Sequence, residues 1–405
     1  MDERRIVVVG AGPAGAALAY LLARRGIAVT LLERHTDFAR EFRGEALMPS
    51  GVDAFVQMGL GAQLDGLPQT HVRRLEVYRG ARCLLRVSIS DFGIEGPRIV
   101  SQPAILEMLV AEAGRFPTFR LERGATARDL VREGGRVVGV RAESTAGSHE
   151  VRGDLVVGAD GRASVLRVRA GLHEERTPQH FDVVWCKVPL PAFAREGTAR
   201  AYLGRGHAAL AFPAYDGRLQ VGWIIEKGSF GELRRRGVDG WLAAMAAHVS
   251  PDFQAHLEAH RAEVTHPFLL DVVCDRLVRW TAPGLLLLGD AAHPMSPVGG
   301  QGINIALRDA LVAANHLCPV LLGGGGAAEI DAAARAVQEE RLPEVATIQQ
   351  AQQGPPAVLF GRAWWNRLLV DALLPVLVRT GVARRAFAAL FRRFAAGVAP
   401  VRLQA

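Results

Sequence analysis

A mixed α/β fold is predicted for this 405-residue sequence: a Rossmann-type βαβ unit interleaved with a β-sheet domain and followed by a C-terminal helical tail. Three observations carry that expectation. Residues 5–10 form an apolar run, 13–25 have helical spacing that stops at Gly26, and 27–33 form a second apolar run ending at Glu33. With links this short, the order reads as strand, helix, parallel strand. From about 180 to 270 the pattern changes to aromatic-rich strands, and from 327 to the end, after the break Gly323–Gly326, it is helical.

The elements between follow the same logic. Residues 72–90 read as amphipathic strand, and 103–114 as a helix opened by Pro103 and closed by Gly114. The apolar pairs Leu130-Val131 and Val137-Val138 flank Gly134-Gly135, the pattern of a hairpin. Residues 154–158 form another buried strand. Strands are expected at 183–185, 208–212 and 219–225, the last after an Asp216-Gly217 turn, and helical spacing covers 239–260. Leu285–Leu288 returns to the buried-strand pattern. The resulting partition places 1–70, 101–180 and 271–325 in one discontinuous domain, 71–100 and 181–270 in the sheet domain, and 326–405 in the tail.

Composition narrows the class. At 49% hydrophobic the chain supports a large core. The formal charge is +7. From Gly354 onward eight arginines face one acid, Asp371, so the tail carries the whole excess and the remainder is balanced. That distribution does not support a nucleic-acid-binding domain. Cys83, Cys186, Cys274 and Cys318 are scattered without a CxxC pair, so neither a zinc site nor a disulfide framework is indicated. The apolar run at 6–9 is too short for a signal peptide, and a cytoplasmic protein is expected.

Three motifs carry chemistry. Gly10-Ala11-Gly12-Pro13-Ala14-Gly15 is a GxGxxG between a strand and a helix, where glycine permits the tight turn and close approach to a pyrophosphate. Glu33, at the end of the next strand, suits ribose hydroxyls and repels a 2′-phosphate, so FAD or NAD fits and the motif alone does not choose between them. Gly158 to Arg167, GADGRASVLR, ends another buried strand. The third, Leu285 to Asn304, delivers Asp290 from a buried strand into a glycine-rich turn that opens a helix whose free N–H groups suit an electron-rich ligand edge. A carboxylate so placed needs partners. His293, in a Pro-flanked turn with no acid or nucleophile near it in sequence, is read as structural.

In this order and spacing, the three motifs resemble the group A flavoprotein monooxygenases, the aromatic hydroxylases built on the p-hydroxybenzoate hydroxylase fold, with ubiquinone-biosynthesis hydroxylases among them. The resemblance spans residues 5 to about 320. It implies FAD as cofactor, with Gly10, Gly12, Pro13, Ala14 and Gly15 at the pyrophosphate, Glu33 at the ribose, and Arg34 among the cofactor-binding residues. Asp290 would bond the ribityl chain, and the backbone of Gly300, Gln301, Gly302, Ile303 and Asn304 the flavin's pyrimidine edge, with Pro297 by its reactive face. Arg43 of Arg43-Gly44-Glu45 would reach FAD, Gln102 would contact it, Ala127 would meet the adenine, and Asp160-Gly161 would serve both FAD and the nicotinamide cofactor. It also implies that NADH or NADPH reduces the flavin, that O2 adds at C4a, and that the hydroperoxide transfers one oxygen, with no metal and little acid–base chemistry from the protein.

Trp185, Phe212, Gln220 and Trp223 are the candidate substrate residues, since aromatic walls with few polar handles suit small molecules. No arginine or tyrosine group for a carboxylated substrate stands out, so a neutral, apolar aromatic or polyketide-like substrate is expected. Residues 357–405 mix arginines with Trp364, Trp365, Leu368, Leu369, Phe387 and Phe391. Two readings stay open there: packing against protein, as a cap or a dimer face, or peripheral contact with a membrane. An epoxidase or reductase of a lipophilic isoprenoid or quinone is the alternative enzyme, and a non-catalytic escort of the same fold the alternative from another class. Gly222-Trp223-Ile224-Ile225 does not match a flavin halogenase motif. The oligomeric state is not legible.

Overall fold

The computed structural model describes residues 4–39, 45–204, 206–235, 237–265, 267–360 and 381–404. Its first sheet has six strands, in the order Thr281–Ala282, Leu285–Leu287, Leu155–Gly158, Arg5–Val9, Ala28–Glu33, Phe119–Arg123. All pairs are parallel except the Thr281–Ala282 edge. Strands covered on both faces need continuous apolar runs, as Ile6 to Val9 and Leu285 to Leu287 supply. Helix Pro13–Arg24 packs against helices Gly302–Leu322 and Gln102–Ala113. The expected hairpin is present: Thr126–Glu133 pairs with Arg136–Ser144 across Gly134 and Gly135, both at positive φ (52° and 82°), as a tight two-glycine turn requires.

The second sheet has seven strands, in the order Phe268–Leu270, Phe181–Pro189, Arg218–Glu226, Ala208–Pro213, Thr198–Leu203, Arg74–Arg79, Arg82–Ser88. Residues 72–90 therefore hold two strands rather than one, turned at Gly80 (φ 54°). Helices Gly237–Ala246 and Pro251–Ala259 divide the 239–260 segment and cover the outer face around Val184, Cys186, Val221, Trp241 and Phe253. The inner face, with Val183, Trp185 and Phe212, meets Ala46 and Val298, which lie outside this sheet.

The tail begins with helix Ala327–Phe360 and resumes at Val382–Ala396. Residues 381–404 pack on protein: Phe394 lies over Gly299, Phe391 meets Phe92 at 6.2 Å between centroids, and Gln57 Oε1 accepts the Leu403 N–H (2.7 Å). Trp364, Trp365, Leu368 and Leu369 lie outside the described residues, as does the Phe387 side chain. A buried ionic network fastens the tail. Asp309 accepts from His293 Nε2 (2.8 Å) and Arg341 Nε (2.8 Å), Arg341 also pairs with Glu344, and Glu344 pairs with Arg308 (2.8 Å) and accepts from the Val398 N–H. His293 thus has an acid partner, sixteen residues on in sequence, and at 1% exposed it is built into this buried network.

Candidate active site

The three motifs leave the carboxyl ends of three neighbouring parallel strands, Leu285–Leu287, Leu155–Gly158 and Arg5–Val9. Loops at that edge of an open α/β sheet are where ligands bind. A surface cleft of about 350 Å3, lined by Arg4, Arg5, Arg136 and Arg152, includes the opposite end of the Arg5–Val9 strand and lies apart from the motifs.

The glycines of the first loop divide by role. A Cβ on Gly10 (φ 97°) would sit 2.3 Å from the Ala159 carbonyl oxygen, and one on Gly15 2.0 Å from that of Gly10. These two are demanded by the protein's own packing. Gly12 is not: its φ is −70° and an added Cβ meets nothing within 4 Å. It caps helix Pro13–Arg24 without a side-chain hydrogen bond, leaving the first-turn N–H groups of Ala14 and Gly15 without intrahelical partners. Glu33 is buried and braces the loop: its Oε2 accepts from the Ala11 N–H (2.9 Å) and its Oε1 from the His35 N–H (3.0 Å). Arg34 is exposed and bonds His35. Ala127 follows Ala125, whose N–H donates to the Glu33 carbonyl, so both belong to the same end of the sheet.

Asp290 has the partner its position called for. Arg162 Nε lies 3.2 Å from Asp290 Oδ2, joining the second motif to the third, with both side chains about one-third exposed. Arg162 was not singled out from sequence, although a buried-strand carboxylate asks for such a cation. Asp160 turns inward instead: it accepts from Ser164 Oγ (2.6 Å) and the Leu166 N–H (3.2 Å), and burial holds its pKa above the ordinary value despite the Ser164 hydroxyl. Its side chain shapes the loop.

In the third motif, the Gly300 N–H donates to the Pro297 carbonyl (3.0 Å), so Gly300 offers no free donor. The open donors are those of Gly302, Ile303 and Asn304, the first turn of helix Gly302–Leu322. Gln301 donates to the carbonyls of Gly299 and Phe394, and the fully buried Asn304 side chain ties down Ala46 and Met48. Their side chains are therefore structural. Gln102 begins its helix half-buried, and Ser101 rather than Gln102 provides the cap, accepting from the Ala104 N–H. Arg43 lies outside the described residues.

Of the four substrate candidates, three share a face. Trp185 lies across Gly222, edge-on to Phe212 at 6.0 Å between centroids, and Gln220 is directly paired with Phe212. Trp223 does not join them. It belongs to the outer core and stacks with Trp241. It lies three positions beyond Gln220 on one strand, so alternation alone sends it to the other side. The inner corner also holds two residues not singled out from sequence. Lys187 pairs with Asp216 (2.8 Å) and lies 3.7 Å from Glu45 Oε1. Burial pushes Glu45 up to about 7, against the pull of Lys187.

This donor set fits FAD. A Cβ at Gly302, as at Gly12, would meet nothing within 4 Å. Glycine at those two helix starts therefore answers to space the protein does not fill, one suited to a pyrophosphate and the other to a flat, electron-rich edge. Residues 3–351 match the family described as FAD binding domain. The chain is 36% identical over 321 residues to the 6-methylpretetramide 4-monooxygenase of Streptomyces rimosus, covering 77% of this chain and 75% of that one. It is 30% identical to digeranylgeranylglycerophospholipid reductase 1 of Methanopyrus kandleri, covering 75% and 78% respectively. The fold matches that of the p-nitrophenol 4-monooxygenase PnpA from Pseudomonas putida, with a TM-score of 0.79 at 18% identity over 98% of both chains.

Proposed function

The chain belongs to the FAD binding domain family and is an FAD-dependent monooxygenase, and from that premise we propose that it hydroxylates a neutral, apolar aromatic or polyketide-like molecule held against the inner face of the seven-stranded sheet. On this reading residues 1–70, 101–180 and 271–325 hold the cofactor, and 71–100 with 181–270 hold the substrate. The first-turn N–H groups after Gly12 hold the pyrophosphate, Glu33 the ribose, Asp290 (kept in place by Arg162) the ribityl chain, and Gly302 to Asn304 the pyrimidine edge. Bound FAD supplies the activation of O2 at the expense of NADH or NADPH.

The protein's own part is to position the ring and keep water out. Trp185 and Phe212 provide flat apolar walls next to Val298, which follows Pro297. The observation that carries the substrate class is the state of the inner corner's cation. Lys187 already faces two carboxyl groups, Asp216 and Glu45, so it offers an anionic substrate no unneutralised positive charge. The relative from Streptomyces rimosus, whose name gives a pretetramide as substrate, supports the same class. Substrate-dependent NADH or NADPH oxidation across phenols, quinolones, quinones and aromatic polyketides is the test. Turnover with neutral polycyclic phenols is expected; tight binding and turnover of a small benzoate overturns the reading.

For a cytoplasmic protein, peripheral membrane contact is proposed through residues 357–405, whose arginines and aromatic residues suit a membrane interface. Liposome co-sedimentation of wild type and a Trp364→Ala/Trp365→Ala variant tests it, and equal binding rejects it.

A further inference from the structure

Three buried polar atoms near the inner sheet face have no hydrogen-bond partner among the described residues: Glu45 Oε2 and both amide atoms of Gln220. The residues are 4% and 1% exposed. Unmet polar groups cost folding stability, so two side chains of this kind in one corner need a reason outside the fold.

Three segments remote in sequence bring them together. Lys187 and Gln220 are directly paired across Phe181–Pro189 and Arg218–Glu226, so they emerge on one face with Cβ atoms about 5 Å apart. Lys187 Nζ reaches Glu45 Oε1, and Asp216 flanks it. The residue after Glu45, Ala46, lies against the third motif: a Cβ on Gly300 would be 3.1 Å from that of Ala46. The corner therefore adjoins the loop assigned to the flavin edge, and Phe212 and Trp185 continue it as apolar wall.

We propose that this corner is the polar anchor for the substrate: Glu45 Oε2 accepts the hydrogen of an acidic phenolic or enolic hydroxyl, and Gln220 Nε2 donates to a carbonyl beside it. The proposal rests on the aromatic-substrate reading and narrows it to hydroxyaryl ketones. On ionisation the substrate O–H bond breaks, the proton passes to Glu45 Oε2, and the electron pair stays on the substrate oxygen, which enriches the ring for oxygen transfer. Lys187 holds the other Glu45 oxygen in place throughout. The charged groups facing Glu45 are Lys187 and Asp216, and burial, which lifts Glu45 to about 7, suits it to accept a proton near neutrality.

The test uses the full-length holoenzyme and 1-hydroxyanthraquinone, which is neutral in solution at pH 7 and whose absorbance moves to the red as negative charge builds on its oxygen, beside its methyl ether. Wild type is expected to bind 1-hydroxyanthraquinone with a red-shifted absorbance at neutral pH and the ether at least about tenfold more weakly. Glu45→Gln should lose the red shift and weaken the hydroxyl compound by about tenfold or more, with ether binding unchanged. Gln220→Met should also weaken it while raising the unfolding temperature, since it removes two unmet buried atoms; a merely structural amide would lower it. Both variants should retain wild-type FAD content, and Gln220→Met carries the test alone if Glu45→Gln does not load FAD. Unchanged affinity for 1-hydroxyanthraquinone in FAD-loaded variants, or equal wild-type affinity for it and its ether, overturns the anchor. Wild type binding neither compound overturns the substrate reading and the anchor with it.

Discussion

Replacing Gly12 by alanine separates what the first loop owes to folding from what it owes to FAD, with Gly10→Ala as its counterpart. At Gly12 the backbone is ordinary and the added methyl touches no protein atom. Alanine there gains roughly 0.4–1 kcal/mol through the unfolded chain, and loses a comparable amount, about 0.5–1 kcal/mol, as a poorer helix cap. The apoprotein should stay within about 1 kcal/mol of wild type. The methyl does intrude on the space assigned to the pyrophosphate, and overpacking of that kind costs about 1–3 kcal/mol, or roughly 5- to 150-fold in FAD affinity. Gly10→Ala behaves differently. Its φ of 97° strains alanine by about 1–2 kcal/mol, and the 2.3 Å approach to Ala159 adds about 1–3 kcal/mol. Urea unfolding of both apoproteins and FAD titration by flavin fluorescence are the assays. Wild-type FAD affinity in Gly12→Ala, or equal destabilisation of the two apoproteins, would refute the division of roles.

Asp309→Asn should cost about 3–5 kcal/mol in urea unfolding at neutral pH, because it leaves two buried guanidiniums, Arg308 and Arg341, sharing the single carboxylate of Glu344. Burial pushes the Asp309 pKa up, but His293 and Arg341 pull it below the ordinary value, so its contribution is present above the unfolded carboxylate pKa and is lost as pH falls; the penalty should shrink on acidification. Glu45 has the opposite sign. Raised from 4.5 to about 7, it makes the folded state lose stability as pH rises across that window, by up to about 3 kcal/mol, and Glu45→Gln should flatten this slope in the substrate-free protein. Phe394→Ala should cost about 3 kcal/mol and accelerate FAD release, since the ring lies over Gly299 in the flavin loop; unchanged FAD retention would separate the tail from the site.

The parts of this architecture that follow from local pattern are legible in the amino-acid sequence. Apolar runs buried on both faces, a GxGxxG between strand and helix, and a two-glycine hairpin each encode their own geometry within a few residues. Even the need for a partner at Asp290 is written there, though not that Arg162 fills it. What escapes sequence reasoning depends on long-range closure. Glu45, Lys187 and Gln220 meet only once the 45–48 segment is laid against the seven-stranded sheet, and His293 finds Asp309 only across a helix. Trp223 is a different case: its three-residue offset from Gln220 places it on the opposite face, and period-two alternation, applied strictly, removes it from the substrate set. The tail's arginines suggest a surface role, whereas Phe394, Val398 and Leu403 fasten its described part to the protein.

The central claim is that this chain puts one oxygen atom from O2 into an aromatic substrate. Turnover under isotopically labelled O2, with NADH or NADPH and the substrate selected from the panel, tests it in a single mass spectrum. The product is expected to have gained one labelled oxygen atom. A product gaining two hydrogens and no oxygen, as a reductase would give, or one carrying oxygen from water, would contradict it.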